Sequence, residues 1–230
     1  MIPKVIFQFS KEDDLWNIWD ICNSKGSYGK SWKDAVTKNM HEICDDKKYE
    51  ECEKELLESM KDIHKNKLLD KTANLFSQAW EGISQEYFYR LEKIMKSPFY
   101  TKKINAHLTT ADRCPYDPDH NPPSFFVNFF WGVPSALQTA GHELMHIQFH
   151  NSKYWKICEK EIGKEKTFDL KEALTVLLNL EFKDLWIMRD MGYPNHTQLR
   201  KYIAREWKKE KDFDSLIDKS IKWIKKNGIK

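Results

Sequence analysis

A chain of 230 residues with 40% hydrophobic and 32% charged residues has room for one large domain and enough apolar mass to bury a core. Its 38 Lys and Arg against 35 Asp and Glu leave a net charge of +3, too small to mark the whole chain as a nucleic-acid binder. The apolar run in "MIPKVIFQFSKEDD" is too short for a signal peptide, no stretch has the length of a membrane span, and five cysteines without a CxxC pair argue against a disulfide framework, so the expectation is a soluble cytoplasmic protein without membrane contact.

In chain order, "KVIFQFS" alternates apolar and polar residues and predicts a first strand, while "KEDDLWNIWDIC" sets acidic residues ahead of helically spaced apolar ones and predicts a helix. Trp16 and Trp19 share that helical spacing and read as core. Residues 31 to about 97 read almost wholly as helix, with apolar side chains every three or four positions, until Pro98 ends the region. Within it, His41, Cys44 and Cys52 are spaced unlike any common zinc finger, and no fourth ligand is evident. "KINAHLTT" and "SFFVNFFWG" read as two strands joined by the turn-rich loop "ADRCPYDPDHNPP", whose Cys114 and His120 read as ordinary turn residues. A helix from Ser135 to His150 follows, then a charged segment near 152–166, an apolar helix from Asp169 to about Phe182, and two terminal amphipathic helices.

From Thr197 onward there are eleven basic and five acidic residues, an excess that reads as a solvated helical face. Helices, a small group of strands, then more helices predict an α+β fold that is predominantly helical with a small mixed β-sheet. No linker divides the chain, so residues 1–230 read as a single domain: a mostly helical region over 1–100, a core over 101–182 and C-terminal helices over 183–230.

The stretch "GHELMHIQFH" carries the chemistry. His142 and His146 are four residues apart, about 40° around a helix and one turn along it, so two imidazoles can share one cation. Glu143 can reach a water on that cation, the arrangement that metal-assisted hydrolysis requires of HExxH. Ala136, Leu137, Ala140, Leu144, Met145, Ile147 and Phe149 make the helix apolar on most sides, which predicts burial and a need for polar partners. His150 lies about 12 Å along the helix from His142 and cannot reach the same ion. The third ligand is expected from "DLKEALTVLLNLEF", where Glu172, Thr175 and Asn179 form a narrow polar stripe on an apolar helix. A competing reading makes Glu172 part of a capping box that starts at Asp169. Glu181, Glu159, Glu161 and Glu165 are weaker ligand candidates.

The HELMH helix, followed 26 residues after His146 by the Glu of "KEALTVLLN", resembles the gluzincin class of zinc metallopeptidases, including thermolysin-like and minimal single-domain members. The resemblance covers about residues 103–182. It implies Zn²⁺ bound by His142, His146 and Glu172, Glu143 as general base, and a zincin-like helix pair behind an edge strand. Val176 stands where thermolysin-like members often carry an acidic residue behind the ligands, a role that passes to Thr175 or Asn179. The resemblance also implies a peptide or protein substrate aligned along Ser124 to Phe130, with Phe126, Asn128 and Phe130 in contact with it; Pro122 and Pro123 suit an edge position. An oxyanion donor is expected from Tyr193 or His196 in "MGYPNHTQLR", with Tyr154 behind them. The alternative is a noncatalytic helical module that binds protein or nucleic acid through its basic C-terminal helices, with the HExxH site structural or degenerate.

Overall fold

The structure, a computed structural model, describes residues 2–26, 28 and 31–229, the side chain of Lys33 excepted. Among them, β1 (Lys4–Phe9) leads into α1 (Lys11–Asn23), a 3₁₀ turn (Lys33–Ala35), α2 (Lys38–Cys44), α3 (Tyr49–Ser59), α4 (Lys61–His64) and the long α5 (Leu68–Met95). The strands β2 (Lys103–Thr109), β3 (Tyr116–Asp117) and β4 (Ser124–Asn128) follow. The rest is helical: α6 (Val133–His150), α7 (Lys153–Ile162), α8 (Lys164–Leu174), α9 (Val176–Glu181), a 3₁₀ turn (Pro194–His196), α10 (Thr197–Glu210) and α11 (Phe213–Asn227). The fold is α+β, predominantly helical with a small mixed sheet.

The sheet order is β1-β2-β4-β3, with β1, β2 and β4 parallel and β3 antiparallel to β4. Parallel strands need cover on both faces. On one face Val5, Phe7, Ile104, Ala106, Leu108, Phe125 and Val127 join Phe76 and Trp80 of α5 and the apolar residues of α6 in the main core. On the other face α1 lies over β2 through polar contacts. Asn17 Nδ2 donates to Thr109 Oγ1 (2.9 Å), Thr109 Oγ1 donates to Asp14 Oδ1 (2.8 Å), and His107 Nδ1 lies 2.7 Å from Asp13 Oδ2. The C-terminal helices complete the main core with Leu199, Ile203, Trp207, Phe213, Leu216 and Ile221. A second cluster joins Leu15, Ile18 and Ile21 of α1 to Ile43 and Cys44 of α2 and Cys52 and Leu56 of α3.

Several sequence expectations are corrected. Residues 31 to 97, read almost wholly as helix, are indeed mostly helical but divided into four helices and a 3₁₀ turn. Trp16 is 44% exposed rather than core. The helix expected from Asp169 to Phe182 is two pieces that break at Thr175, and its first piece begins five residues earlier, at Lys164, immediately after Gly163 (φ +81) ends α7. β3, inside the loop read as turns, was not foreseen. It makes β4 an interior strand, because Tyr116 and Asp117 pair with Phe125 and Ser124 on the side where a substrate was expected. Among the described residues, no helix is long and apolar enough to cross a membrane.

Candidate metal centre

α6 follows Gly132, its N-terminal cap position, and has Pro134 in its first turn, where a missing N–H costs nothing. It is buried along most of its length against α5, β4 and α8. Gly141 is required by packing. A Cβ there would stand 2.5 Å from the Trp186 ring, and the Gly141 carbonyl accepts from the buried Tyr87 hydroxyl at 2.6 Å. The next residues along are the histidines of the motif, with ring centroids of His142 and His146 4.3 Å apart.

Glu172 comes to them from the last turn of α8. Its Oε2 lies 3.2 Å from His146 Nε2 and 3.5 Å from His142 Nε2, and ligand atoms of the three residues all fall within 4.8 Å of one another. The capping alternative is overturned: Asp169 and Glu172 sit inside α8, and Asp169 Oδ1 pairs with His196 Nε2 at 2.9 Å. Glu181 is engaged elsewhere, accepting from Trp207 Nε1 at 2.8 Å, and Glu161 pairs with Lys225 at 2.6 Å. His150 stacks on Trp155 with centroids 4.0 Å apart.

The polar stripe of Thr175 and Asn179 has a specific purpose: it holds Asp190, a buried residue that sequence reading missed. Asp190 Oδ2 accepts from His142 Nδ1 at 2.6 Å, which fixes the ring tautomer and turns Nε2 toward Glu172. Asn179 brackets the Asp190 backbone with two hydrogen bonds, 2.7 Å to its carbonyl and 2.9 Å from its N–H. Arg200 of α10 donates to Asp190 Oδ1 at 2.7 Å and to Thr175 Oγ1 at 2.6 Å. Gly192 lets this happen, since it sits at φ +64 and a Cβ there would stand 2.7 Å from the guanidinium.

Charge is distributed unevenly across the cluster. Burial disfavours a charged His142, yet the Asp190 charge and hydrogen bond outweigh it and hold the pKa well above the ordinary value. His146, equally buried, is pushed down to about 3 and is neutral at physiological pH, as a metal ligand must be. Burial alone would raise Glu172, but His146, Lys171 and His142 hold it well below the usual carboxylate range. Burial also opposes ionisation of Asp190, which His142 and Arg200 nevertheless bring down to about 2. At Glu143 burial outweighs the charge of His142 and pushes the pKa up to about 7. Two neutral-capable imidazoles and one carboxylate, backed by Asp190, match the donor set of a catalytic zinc site, so the residues present fit the ion.

Lys171 is a second residue that sequence reading missed, because a lysine on a helix is by default solvated. It is only 3% exposed, with Nζ 2.8 Å from Glu172 Oε1 and 3.2 Å from the Tyr116 hydroxyl. Together with His142, Glu143, His146 and Glu172, these residues line a pocket of about 650 Å³ whose outer walls include Tyr28, Trp32 and Trp131. Of the three expected oxyanion donors, Tyr193 lines this pocket. His196 does not: it is fully buried against Asp169 and is corrected to a structural residue. The Tyr154 hydroxyl is likewise turned away, donating to Asp214 at 2.9 Å.

The expected substrate contacts are also corrected. Phe126 is buried beside His107 in a separate, smaller pocket with Asp13, Trp16 and His120, divided from the metal centre by Pro115 and Tyr116. Asn128 is buried and braces the loop by donating to Ala111 O at 2.9 Å and accepting from Phe130 N at 2.7 Å. Phe130 is exposed and lies outside both pockets. No family model, curated protein or solved structure matches the chain.

Proposed function

We propose that the chain is a zinc-dependent metallopeptidase of gluzincin type, a hydrolase that cuts peptide bonds with a metal-activated water. The observation that carries this reading is the convergence of His142, His146 and Glu172 within 4.8 Å, on the wall of an open pocket that also holds Glu143. The chemistry a bound Zn²⁺ supplies is polarisation of the scissile carbonyl and a lower pKa for water.

The chain's own residues account for the remaining tasks. Glu143, on the helical turn between the two histidines, receives the proton of the attacking water on a carboxylate oxygen and returns it to the leaving amine. Its buried setting, with a pKa near neutrality, suits both transfers. Tyr193 stays protonated, since burial and the neighbouring Glu172 raise its pKa, and it supplies a hydroxyl donor for the developing oxyanion. Lys171 acts as a positioning residue by occupying Glu172 Oε1, which leaves Oε2 facing the imidazoles. The substrate enters between Tyr28, Trp32 and Trp131, whose rings give apolar faces to side chains on either side of the bond to be cut.

The test is metal content together with turnover on a peptide library. The wild type is expected to hold zinc at the histidine site and to cleave, and Glu143→Ala to hold the same zinc while losing cleavage. Full activity in Glu143→Ala would remove the general base from the scheme. A chain that binds zinc at these histidines yet cleaves nothing with or without Glu143 would be a noncatalytic module.

A further inference from the structure

The end of α1 and the end of α2 meet in a cluster outside this site. Cys22 lies in the last turn of α1, His41 in α2, and Asp45 is the residue that caps α2. One ligand atom from each falls within 4.8 Å of the other two, and His41 Nδ1 is 2.7 Å from Asp45 Oδ1. The sequence spacing had grouped His41 with Cys44 and Cys52; folding brings Cys22 and Asp45 to His41 instead. Cys44, next to Asp45 in the chain, is fully buried, with its thiol near those of Cys22 and Cys52.

We propose that Cys22, His41 and Asp45 form a second metal site, a zinc site that staples α1 to α2. The donor chemistry is that of zinc: a thiol that ligates as thiolate, an imidazole and a carboxylate. Ligand atoms around one zinc stand about 3.4–3.8 Å apart, by tetrahedral geometry from ordinary bond lengths. The backbone that carries the cluster is held by hydrogen bonds. Asn23, next to Cys22, donates to the carbonyls of Trp19 (3.0 Å) and Cys44 (3.1 Å) and accepts from Asp46 N (3.1 Å). Trp19 Nε1 donates to Lys47 O at 2.8 Å.

A second, independent argument is electrostatic. Both ligand-bearing helices present their C-terminal ends to the cluster, where the helix dipole places partial negative charge. The last turn of α1 has no basic side chain to meet it. A divalent cation at that junction serves both helix ends.

The proposal does not depend on peptidase activity and is tested without it. The full chain is loaded with Co²⁺ and its absorption recorded in the near ultraviolet, where a thiolate-to-cobalt band reports a cysteine ligand. The set His142, His146 and Glu172 contains no thiol and cannot give this band. The expected result is a thiolate band in the wild type and in His146→Ala, absent from Cys22→Ser, with zinc content falling from about two per chain to about one in Cys22→Ser. Asp45→Asn, at an exposed position, is expected to weaken Zn²⁺ binding at this site about tenfold or more. Absence of the band from Co²⁺-loaded wild type would overturn the proposal whatever the variants do, as would a band that survives in folded Cys22→Ser.

Discussion

Asp190 shows how much of the site depends on a residue behind the candidate ligands. Its replacement by Asn keeps the shape but loses the charge that fixes the His142 tautomer, so zinc affinity at the histidine site is expected to fall about 10–100-fold, measured by competition with a chelator. The same change leaves the Arg200 guanidinium, 8% exposed, without its 2.7 Å ion pair, at a cost of about 3–5 kcal/mol in a urea titration. The two tyrosine-turn residues should part company. Tyr193→Phe is expected to lose about 100-fold or more in turnover at full zinc occupancy with little change in stability. His196→Ala should do the reverse, leaving turnover intact and losing about 1–3 kcal/mol, because it abandons a buried partner of Asp169. Parallel losses of turnover in both variants would assign the donor role to neither alone.

At the scale of elements, α6 was legible because its ligands repeat at helical spacing on an apolar segment, and Glu172 because it heads a narrow polar stripe with Thr175 and Asn179 on an apolar helix. Asp190 was not, since it lies in the loop between α9 and α10, where no periodicity says which acid turns inward. β3 was hidden by the prolines on either side of it, Pro115 and Pro118, and it is that two-residue strand that covers β4. The true start of α8 was masked by "KEKT", a charged first turn with no apolar signal until Phe168. The fold class followed from element order, but neither the parallel register of β1, β2 and β4 nor the closeness of α1 to α2 has a local signature. Gly141 of α6 carries a prediction at this scale. Alanine there gains about 1 kcal/mol of helix propensity, but its Cβ must displace the Trp186 ring, 2.5 Å away, at about 1–3 kcal/mol. The net is expected to be a lower Tm by thermal denaturation, together with weakened zinc binding at the adjacent His142.

For the whole molecule, exposed charge ties the end of α5 and the start of α7 to the start of α11. Lys96, which caps α5 in a left-handed conformation, bonds with Asp212 and Asp214 at the start of α11, and Lys153 and Tyr154 of α7 share Asp214. Hydrogen bonds from Lys96, Lys153 and Tyr154 hold Asp214 well below its ordinary pKa. A carboxylate depressed on folding stabilises the fold above its unfolded pKa, near 3.8, and that contribution is lost as pH falls through the lower folded value. The Tm of the wild type should therefore drop more steeply than that of Asp214→Asn as pH is lowered below about 4, and added salt should narrow the gap between them. Equal slopes would leave this cluster without a role in acid stability. The chain of contacts from His142 through Asp190 to Arg200 reaches in the opposite direction, out of the pocket and into α10. Whatever occupies the histidine site must share free energy with the docking of α10, and linkage makes that exchange reciprocal. Zinc added at the pocket should thus slow amide hydrogen exchange in α10, remote from any ligand atom, and a substitution that loosens α10 should be read at the histidines as weaker metal binding.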